Sequence, residues 1–409
     1  MSARVVITGI GIVTPLGNDI EGFRGRLLEG TSAAGPITVF DAAALPTRIA
    51  AEVNAAALPV QTKDRKIAFG LVAARAAVED ANSAGVALAK HYAGDSGGLS
   101  LGIGLELFSM PDMVSYLVKG NASDEENPLT FLQTPSDMCI HIICKEHELR
   151  QPPLTHISAC AASTDAIGAA FHLIRDGRRA WMLAGGTDSM INPMGVAGFC
   201  KINAMTRRND APQKASRPFD RDRDGFLLGE GAGIFAMESL KNARTRGARV
   251  YAEVAGYGNS FDAHGISEPH PEGEGALLAM QRALDDARIR PEQISHINAH
   301  GTGTTKNDPV ETHAVRRLLG AHAKNVTVNS TKSMVGHLIS ASGAVELAAM
   351  ITCAKSGWVH PTINLENQDP ACDLDYVPGK ARKTSGEYFL KNSFGFGGQN
   401  AALVVRIPA

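Results

Sequence analysis

Long apolar runs are missing from this 409-residue chain. Nowhere do about eighteen apolar residues follow one another, so no membrane span is expected. An excess of one charge is missing too. Forty-two acidic residues face forty basic ones, which leaves no net field to select nucleic acid or a membrane surface. Any electrostatic partner must therefore use a local patch. Cysteine pairs are absent: the six cysteines, at 139, 144, 160, 200, 353 and 372, include no CxxC. A zinc cage and a disulfide framework are not expected, and a reducing, cytoplasmic setting is. The opening Met-Ser-Ala-Arg passes straight into Val5-Val6-Ile7 without the apolar core of a signal peptide.

What is present is ordinary for a globular protein, 44% hydrophobic and 20% charged residues. The order of patterns is less ordinary. Strand-like segments at 4–8, 99–105, 154–158, 181–184 and 233–237 alternate with helical ones at 66–81, 136–148 and 163–176. The series then restarts. Val250–Val254 leads into Gly256 and Gly258 as Val5–Thr8 leads into Gly9 and Gly11, and both glycine pairs are read as bends. Helices at 275–288, 309–319 and 343–356 repeat the first three, with strands at 294–299, 326–329, 388–392 and 401–405. The pattern predicts a duplicated α/β architecture, with one half at residues 1–250 and the other at 251–409.

Four segments carry chemistry. In HISACAASTDAIGAA (156–170), a short strand ends at Cys160 and a small-residue helix follows at once. A thiol there sits near the positive end of a helix dipole, which favours thiolate. Taken alone, Cys160 reads equally as a packed core cysteine. In INAHGTGTTKNDPVET (297–312), His300 ends a strand before a permissive backbone, and Thr302 and Thr304 offer hydroxyls to an amide. Asp308-Pro309 should begin the next helix. In NSTKSMVGHLISASGAVE (329–346), Lys332 and His337 flank a strand-to-helix passage. A lysine in so apolar a neighbourhood needs a partner, and Glu311 is the natural candidate. In KNSFGFGGQNAALVV (391–405), Phe394, Phe396, Gly397 and Gly398 form a turn whose backbone N–H groups would complete an oxyanion hole. Singly, either histidine reads as structural and Lys332 as a surface residue. Asp220, Asp222 and Asp224 imitate a calcium loop, but Gly231 stands where its closing Glu belongs. They are read as a structural segment salt-bridged with Arg217, Arg221 and Arg223.

Together and in this order, the segments resemble the elongating β-ketoacyl-[acyl-carrier-protein] synthases, from VVITGIGIVTPLGN (5–18) to the last strand. The resemblance implies the thiolase-like fold, duplicated α/β halves in five layers, and a homodimer. It implies that Cys160 takes the acyl chain as a thioester, and that His300 and His337 stabilise the enolate left when a malonyl thioester loses carbon dioxide. Lys332 would hold the site electrostatically with Glu311. The N–H groups of Cys160 and Phe396 would form the oxyanion hole, and Thr302 and Thr304 would hold pantetheine. The partner would be an acyl carrier protein bearing phosphopantetheine, with no cofactor or metal bound by the enzyme itself. An acidic carrier needs a basic patch, for which Lys63, Arg65, Lys66, Lys201, Arg207 and Arg208 are the candidates.

The chain departs from the family pattern at SACAAS, where Thr commonly precedes the Ala-Cys, and at Asn307, Gln399, Gly265 and Ser340. These changes surround the pocket and the pantetheine channel, so they bear on the substrate. Besides fatty-acid elongation, the sequence allows a specialised ketosynthase of polyketide or aryl-polyene type. A non-catalytic chain-length partner and a Cys–His hydrolase are the readings from other classes. The retained Cys160 argues against the first, and the paired histidines against the second.

Overall fold

Gly9 and Gly11 do not end the first strand; Val5–Val13 continues through both, with one irregularity of register between Ile7 and Gly9. A Cβ on Gly9 would lie 2.2 Å from the Ala77 carbonyl oxygen, and one on Gly11 would lie 1.9 Å from that of Ala73. The glycines are there to let a helix rest on the strand, a role that periodicity alone reads as a turn signal. Gly256 and Gly258 do the same in their own strand, each 2.3 Å by that measure from the carbonyl oxygens of Ala283 and Ala279.

The computed structural model describes residues 3–62, 64–95, 97–104 and 135–407. Among them, ten strands join in one mixed sheet: β1 (Val5–Val13), β2 (Gly98–Ile103), β3 (Leu154–His156), β4 (Trp181–Ser189), β5 (Glu230–Ser239), β6 (Ala252–Phe261), β7 (Ile294–Asn298), β8 (Thr327–Asn329), β9 (Tyr388–Gly395) and β10 (Gln399–Arg406). Six helices matter to the site: α1 (Arg65–Asn82), α2 (Pro135–Glu146), α3 (Ala162–Arg175), α4 (Glu274–Ala287), α5 (Asn307–Leu319) and α6 (Ser342–Lys355).

The order across the sheet is β8-β7-β9-β10-β6-β1-β5-β4-β2-β3. Adding five to each strand of the first half gives the second half in mirror sequence. The directions agree as well. β2 runs parallel to β3 and β4, while β5 is antiparallel to β4 and β1. Likewise β7 runs parallel to β8 and β9, while β10 is antiparallel to β9 and β6. A short antiparallel contact, Val5–Ile7 against Ala252–Val254, joins the halves.

Helices α1 and α2 cover the outer face of the first five strands, and α4 and α5 that of the second five. Between the two sets lie α3 and α6, packed on each other and on strands of both halves. This gives five layers, α-β-α-β-α, the thiolase-like arrangement. The first twelve residues of α6 are all buried, as its nearly unbroken apolar sequence requires. Among the described residues, no helix is long and apolar enough to cross a membrane.

Candidate active site

The turn that carries Cys160 contains a strained residue. After β3, Ala159 takes φ 48°, a left-handed value uncommon for a residue with a Cβ. Residues 159–161 form a single tight turn before α3 begins. The chain reverses so sharply that Cys160 is presented at the end of the central helix layer. Gly395 lets the β9 backbone come close; a Cβ there would lie 3.0 Å from the Ser158 oxygen and 3.1 Å from the Cys160 nitrogen.

The fold brings three distant side chains together. Cys160 Sγ lies 3.1 Å from His337 Nε2, and the His300 and His337 rings are 5.4 Å apart, edge to face. Sγ and one nitrogen from each ring all fall within 4.8 Å of one another. All three residues are buried.

The hydrogen-bond network decides which ring nitrogens carry protons. His337 Nδ1 accepts the Ile339 N–H at 3.1 Å and meets Ser342 Oγ at 2.8 Å. A backbone N–H can only donate, so the His337 proton is on Nε2, facing Cys160. His300 Nδ1 lies 3.3 Å from the Lys332 ammonium, which also can only donate, so its proton is on Nε2 as well. Burial, with the charges of Lys332 and Lys391 adding to it, pushes both imidazoles well below the ordinary histidine value. The site thus offers two neutral Nε2–H donors. That donor set suits an oxyanion and presents no lone pairs to a cation.

The expected resting thiolate is not found. Burial pushes the Cys160 thiol up to about 11, against which the Lys332 charge and the Phe396 N–H work only in part. Desolvation outweighs the dipole because Cys160 precedes the first residue of α3 in a fully enclosed position. The Phe396 N–H is nonetheless directed at Sγ and works against that rise.

Glu311 is not the partner of Lys332. Its carboxylate accepts the N–H groups of His300 and Gly301, each at 2.8 Å, and the amide of Asn392 at 3.2 Å. It therefore shapes the loop that carries His300. Lys332 Nζ instead meets Glu346 Oε1 at 2.6 Å, with both side chains buried, and donates to the His300 carbonyl oxygen at 2.6 Å. The second oxygen of Glu346 takes Lys391 at 2.8 Å. Sequence reasoning missed Glu346 and Lys391, although each left a signal. Glu346 is the lone charge in α6 before its terminal Lys355, and Lys391 is a charge inside a strand buried on both faces.

A cavity of about 180 Å³ opens onto Cys160, His300 and His337. Thr302, Thr304, Phe394 and Phe396 line it, as the sequence predicts, together with Asn203, Phe226, Asp262, Glu268 and Lys306. Thr302 and Thr304 share a 2.9 Å hydroxyl contact. Helix α5 starts at Asn307, and the Asp308 carboxylate turns back to accept the N–H groups of Thr302 and Gly303. Gly397 and Gly398 do not line the cavity. Their N–H groups are spent on the carbonyls of Ile266 and Gly395, leaving Phe396 as the turn's donor. The aspartates of the false calcium loop are structural: Asp220 pairs with Arg217 at 3.0 Å and accepts the Glu366 and Asn367 N–H groups.

The basic patch is smaller than expected. Lys63 lies outside the described residues. Arg65 is tied to the buried Glu230, and Lys66 is fully buried against Asp64 at 2.9 Å. Both stand in the first turn of α1, whose Asp64 cap draws Lys66 inward. Lys201 and Arg207 are exposed, and Arg207 reaches the cavity-lining Asn203 at 3.0 Å. Arg208 is half-buried and partnered by Asp224 at 3.6 Å.

Residues 2–243 match the family model described as beta-ketoacyl synthase, N-terminal domain, and residues 251–366 match its C-terminal counterpart. A curated relative, 3-oxoacyl-[acyl-carrier-protein] synthase 2 of Synechocystis sp., is 40% identical over 98% of both chains. Two solved structures align over 100% of both chains. One is a beta-ketoacyl synthase from Burkholderia phymatum, with TM-score 0.90 and 32% identity. The other is a type II PKS ketosynthase bound to a hexaketide in complex with its acyl-carrier protein, with TM-score 0.91 and 30% identity.

Proposed function

Because the chain belongs to the β-ketoacyl synthase family, we propose that it condenses a Cys160-bound acyl group with malonyl-[acyl-carrier-protein], giving 3-oxoacyl-[acyl-carrier-protein] and carbon dioxide. The observation that carries this reading is the Sγ–Nε2 distance of 3.1 Å, with the second imidazole converging on the same point.

Each step follows from the donors present. Cys160 Sγ attacks the acyl thioester, whose oxyanion lies between the N–H groups of Cys160 and Phe396. The thiol proton leaves with the pantetheine sulfur, so this exchange of thioesters is proton-neutral. A malonyl thioester then places its carbonyl oxygen against His300 Nε2–H and His337 Nε2–H. Loss of carbon dioxide leaves an enolate on that oxygen, with no base needed at carbon. Its α-carbon attacks the acyl carbonyl, a carbon–carbon bond forms, and Sγ departs as thiolate and regains a proton from solvent. Neutral imidazoles suit the task. They donate to the growing charge without holding the malonyl carboxylate as fixed cations would.

Thr302 and Thr304 hold the pantetheine amides, and Lys201 and Arg207 receive the carrier. The halves 1–250 and 251–409 supply the nucleophile and both histidines, respectively. The enzyme works in the cytoplasm as a homodimer, for which the edge strand β3 and the exposed Ile157 beside it offer an unpaired border.

The test is reconstitution with malonyl-carrier and a series of acyl-carriers differing in length and unsaturation, reading 3-oxoacyl products and carbon dioxide by mass spectrometry. Saturated chains condensing best would support fatty-acid elongation; polyene or polyketide chains condensing best would mark a specialised ketosynthase. Free acid release would indicate a hydrolase, and absence of acyl-Cys160 a non-catalytic partner. Either of the last two outcomes overturns the proposal.

A further inference from the structure

The charge beneath the two histidines has a component that the condensing reaction, as derived above, does not use. Lys391 belongs to β9, a strand whose central residues are all buried, and its side chain is fully enclosed. Its Nζ is ion-paired with Glu346 Oε2 at 2.8 Å and donates to the Asn392 carbonyl oxygen and to Ser393 Oγ at 3.3 Å. Lys332 Nζ is placed in the same way, ion-paired with Glu346 Oε1 and hydrogen-bonded to the His300 carbonyl oxygen and His300 Nδ1. One carboxylate is thus ion-paired with two buried ammonium groups.

A second buried carboxylate completes the set. Glu311 touches the same backbone through Asn392, whose amide donates to it at 3.2 Å while the Asn392 carbonyl accepts from Lys391. The groups facing Lys391 are therefore Glu346 from α6, Lys332 beyond it and Glu311 from α5. Two positive and two negative charges lie under His300 and His337, and the set is neutral only while Lys391 is present. Without it, the region would carry one uncompensated negative charge where the reaction makes another. In so buried a place, such a charge is weakly screened.

We propose that Lys391 is a positioning residue whose buried ammonium balances the second buried carboxylate, so that the charge beneath His300 and His337 does not turn negative as the enolate forms. The idea rests on the condensing reaction proposed above. It also gives Lys391 a role distinct from that of Lys332, which touches His300 directly. Both imidazoles lie within the field of Lys391, which helps to keep them neutral.

The test is the pH profile of carbon dioxide release from malonyl-carrier by acyl-primed enzyme, in the wild type and three variants. Lys391→Met removes a positive charge, Glu346→Gln a negative one, and the double variant removes one of each. The acid limb of the kcat profile should move up by about half a pH unit or more in Lys391→Met and down in Glu346→Gln. It should return toward the wild type in the double variant. The kcat plateau of Lys391→Met should fall about tenfold while KM stays within about twofold, since the enolate is formed only after binding.

A merely structural role would move both single variants the same way, and that result, or no movement in either, overturns the inference. Should Lys391→Met fail to fold, the comparison passes to the double variant and Glu346→Gln. A higher acid limb in the double variant supports the balance, and an equal one overturns it. If wild-type enzyme releases no carbon dioxide from any malonyl thioester, it is the condensing function that fails.

Discussion

The state of Cys160 at rest gives the sharpest quantitative test. An ordinary thiol, with a pKa of about 8.5, is about 3% thiolate at pH 7. With its thiol pushed up to about 11 by burial, Cys160 is thiolate in about one molecule in ten thousand at that pH. The population falls about 300-fold, but a more basic thiolate is also more nucleophilic. A Brønsted slope of about 0.4–0.5 returns roughly a factor of ten to eighteen. Iodoacetamide should therefore alkylate Cys160 about 20- to 30-fold more slowly than a free small-molecule thiol at pH 7. The rate should climb about tenfold per pH unit up to near pH 10. Alkylation followed by peptide mass spectrometry reads this residue alone, with Cys160→Ser as the blank. Lys332→Met should slow it further, because the Lys332 charge is the largest influence opposing burial. A rate that levels off between pH 7 and 8 would mean that a thiolate is stabilised at rest. That would refute the argument that desolvation outweighs the helix end and the ammonium.

Three further outcomes follow from the same geometry. Replacing either His300 or His337 by Ala removes one oxyanion donor and should cut malonyl decarboxylation by about 10²–10³, while acylation of Cys160, read by mass spectrometry, survives. Thermal unfolding should reveal the four most deeply buried of the histidines that burial makes reluctant to protonate. Burial pushes His360 down to about 4 and His296 to about 3, and holds His300 and His337 well below their ordinary value. The unfolded chain binds these protons more readily, so stability is complete above about pH 6.5 and is lost as pH falls toward 4 and below; a flat Tm over that window would be contrary to it. Finally, Gly258→Ala should destabilise by about 1–3 kcal/mol or more, because its Cβ would strike the Ala279 carbonyl oxygen, which no side-chain rotation can clear. Gly25→Ala, in the helix Ile20–Glu29 and with nothing within 4 Å, should be neutral or stabilising in the same denaturation series.

Much of the architecture was legible because the helices and strands are amphipathic or apolar in ways that periodicity detects. The six helices that frame the site and the duplicated order of strands along the chain follow from pattern, to within a few residues at each end, whereas the helices Ile20–Glu29, Pro193–Lys201 and Leu240–Arg246 do not. The glycine pairs were misread for a definite reason. A glycine that ends a strand and a glycine that makes room for a helix look the same in one dimension, and only the neighbouring Ala73–Ala77 or Ala279–Ala283 backbone distinguishes them. Two of the three converging side chains were legible from position, since Cys160 and His300 follow β3 and β7 into a turn, whereas His337 follows the short helix Lys332–Val335. The counter-charges were not, because an ion pair between positions 332 and 346 depends on how far α6 reaches under the site. Glu311 was the plausible partner by composition, but its oxygens were already taken by the loop N–H groups of His300 and Gly301. The surface patch was the least legible part, since nothing in a run of cations tells which will turn inward on an acidic cap such as Asp64.

The duplication explains why the Cys160 thiol and the His337 imidazole meet at all. In the first half, Ala159 at φ 48° opens the turn that leads into α3; in the second, Ile339 at φ 46° opens the equivalent turn into α6. Each is a strained left-handed residue bearing a Cβ, at a cost of order 1 kcal/mol or more, and each must be held by its surroundings. The residue after the strained position is Cys160 in one half and Ser340 in the other. Ser340 is anchored by its N–H to the buried Asp188 at 2.9 Å, which fixes the second turn in place. Its strained residue has another use, because the Ile339 N–H is the group that occupies His337 Nδ1 and leaves the proton on Nε2. One duplicated turn thus supplies both sides of the 3.1 Å contact. The first copy presents the sulfur, and the second sets the tautomer of the imidazole that faces it.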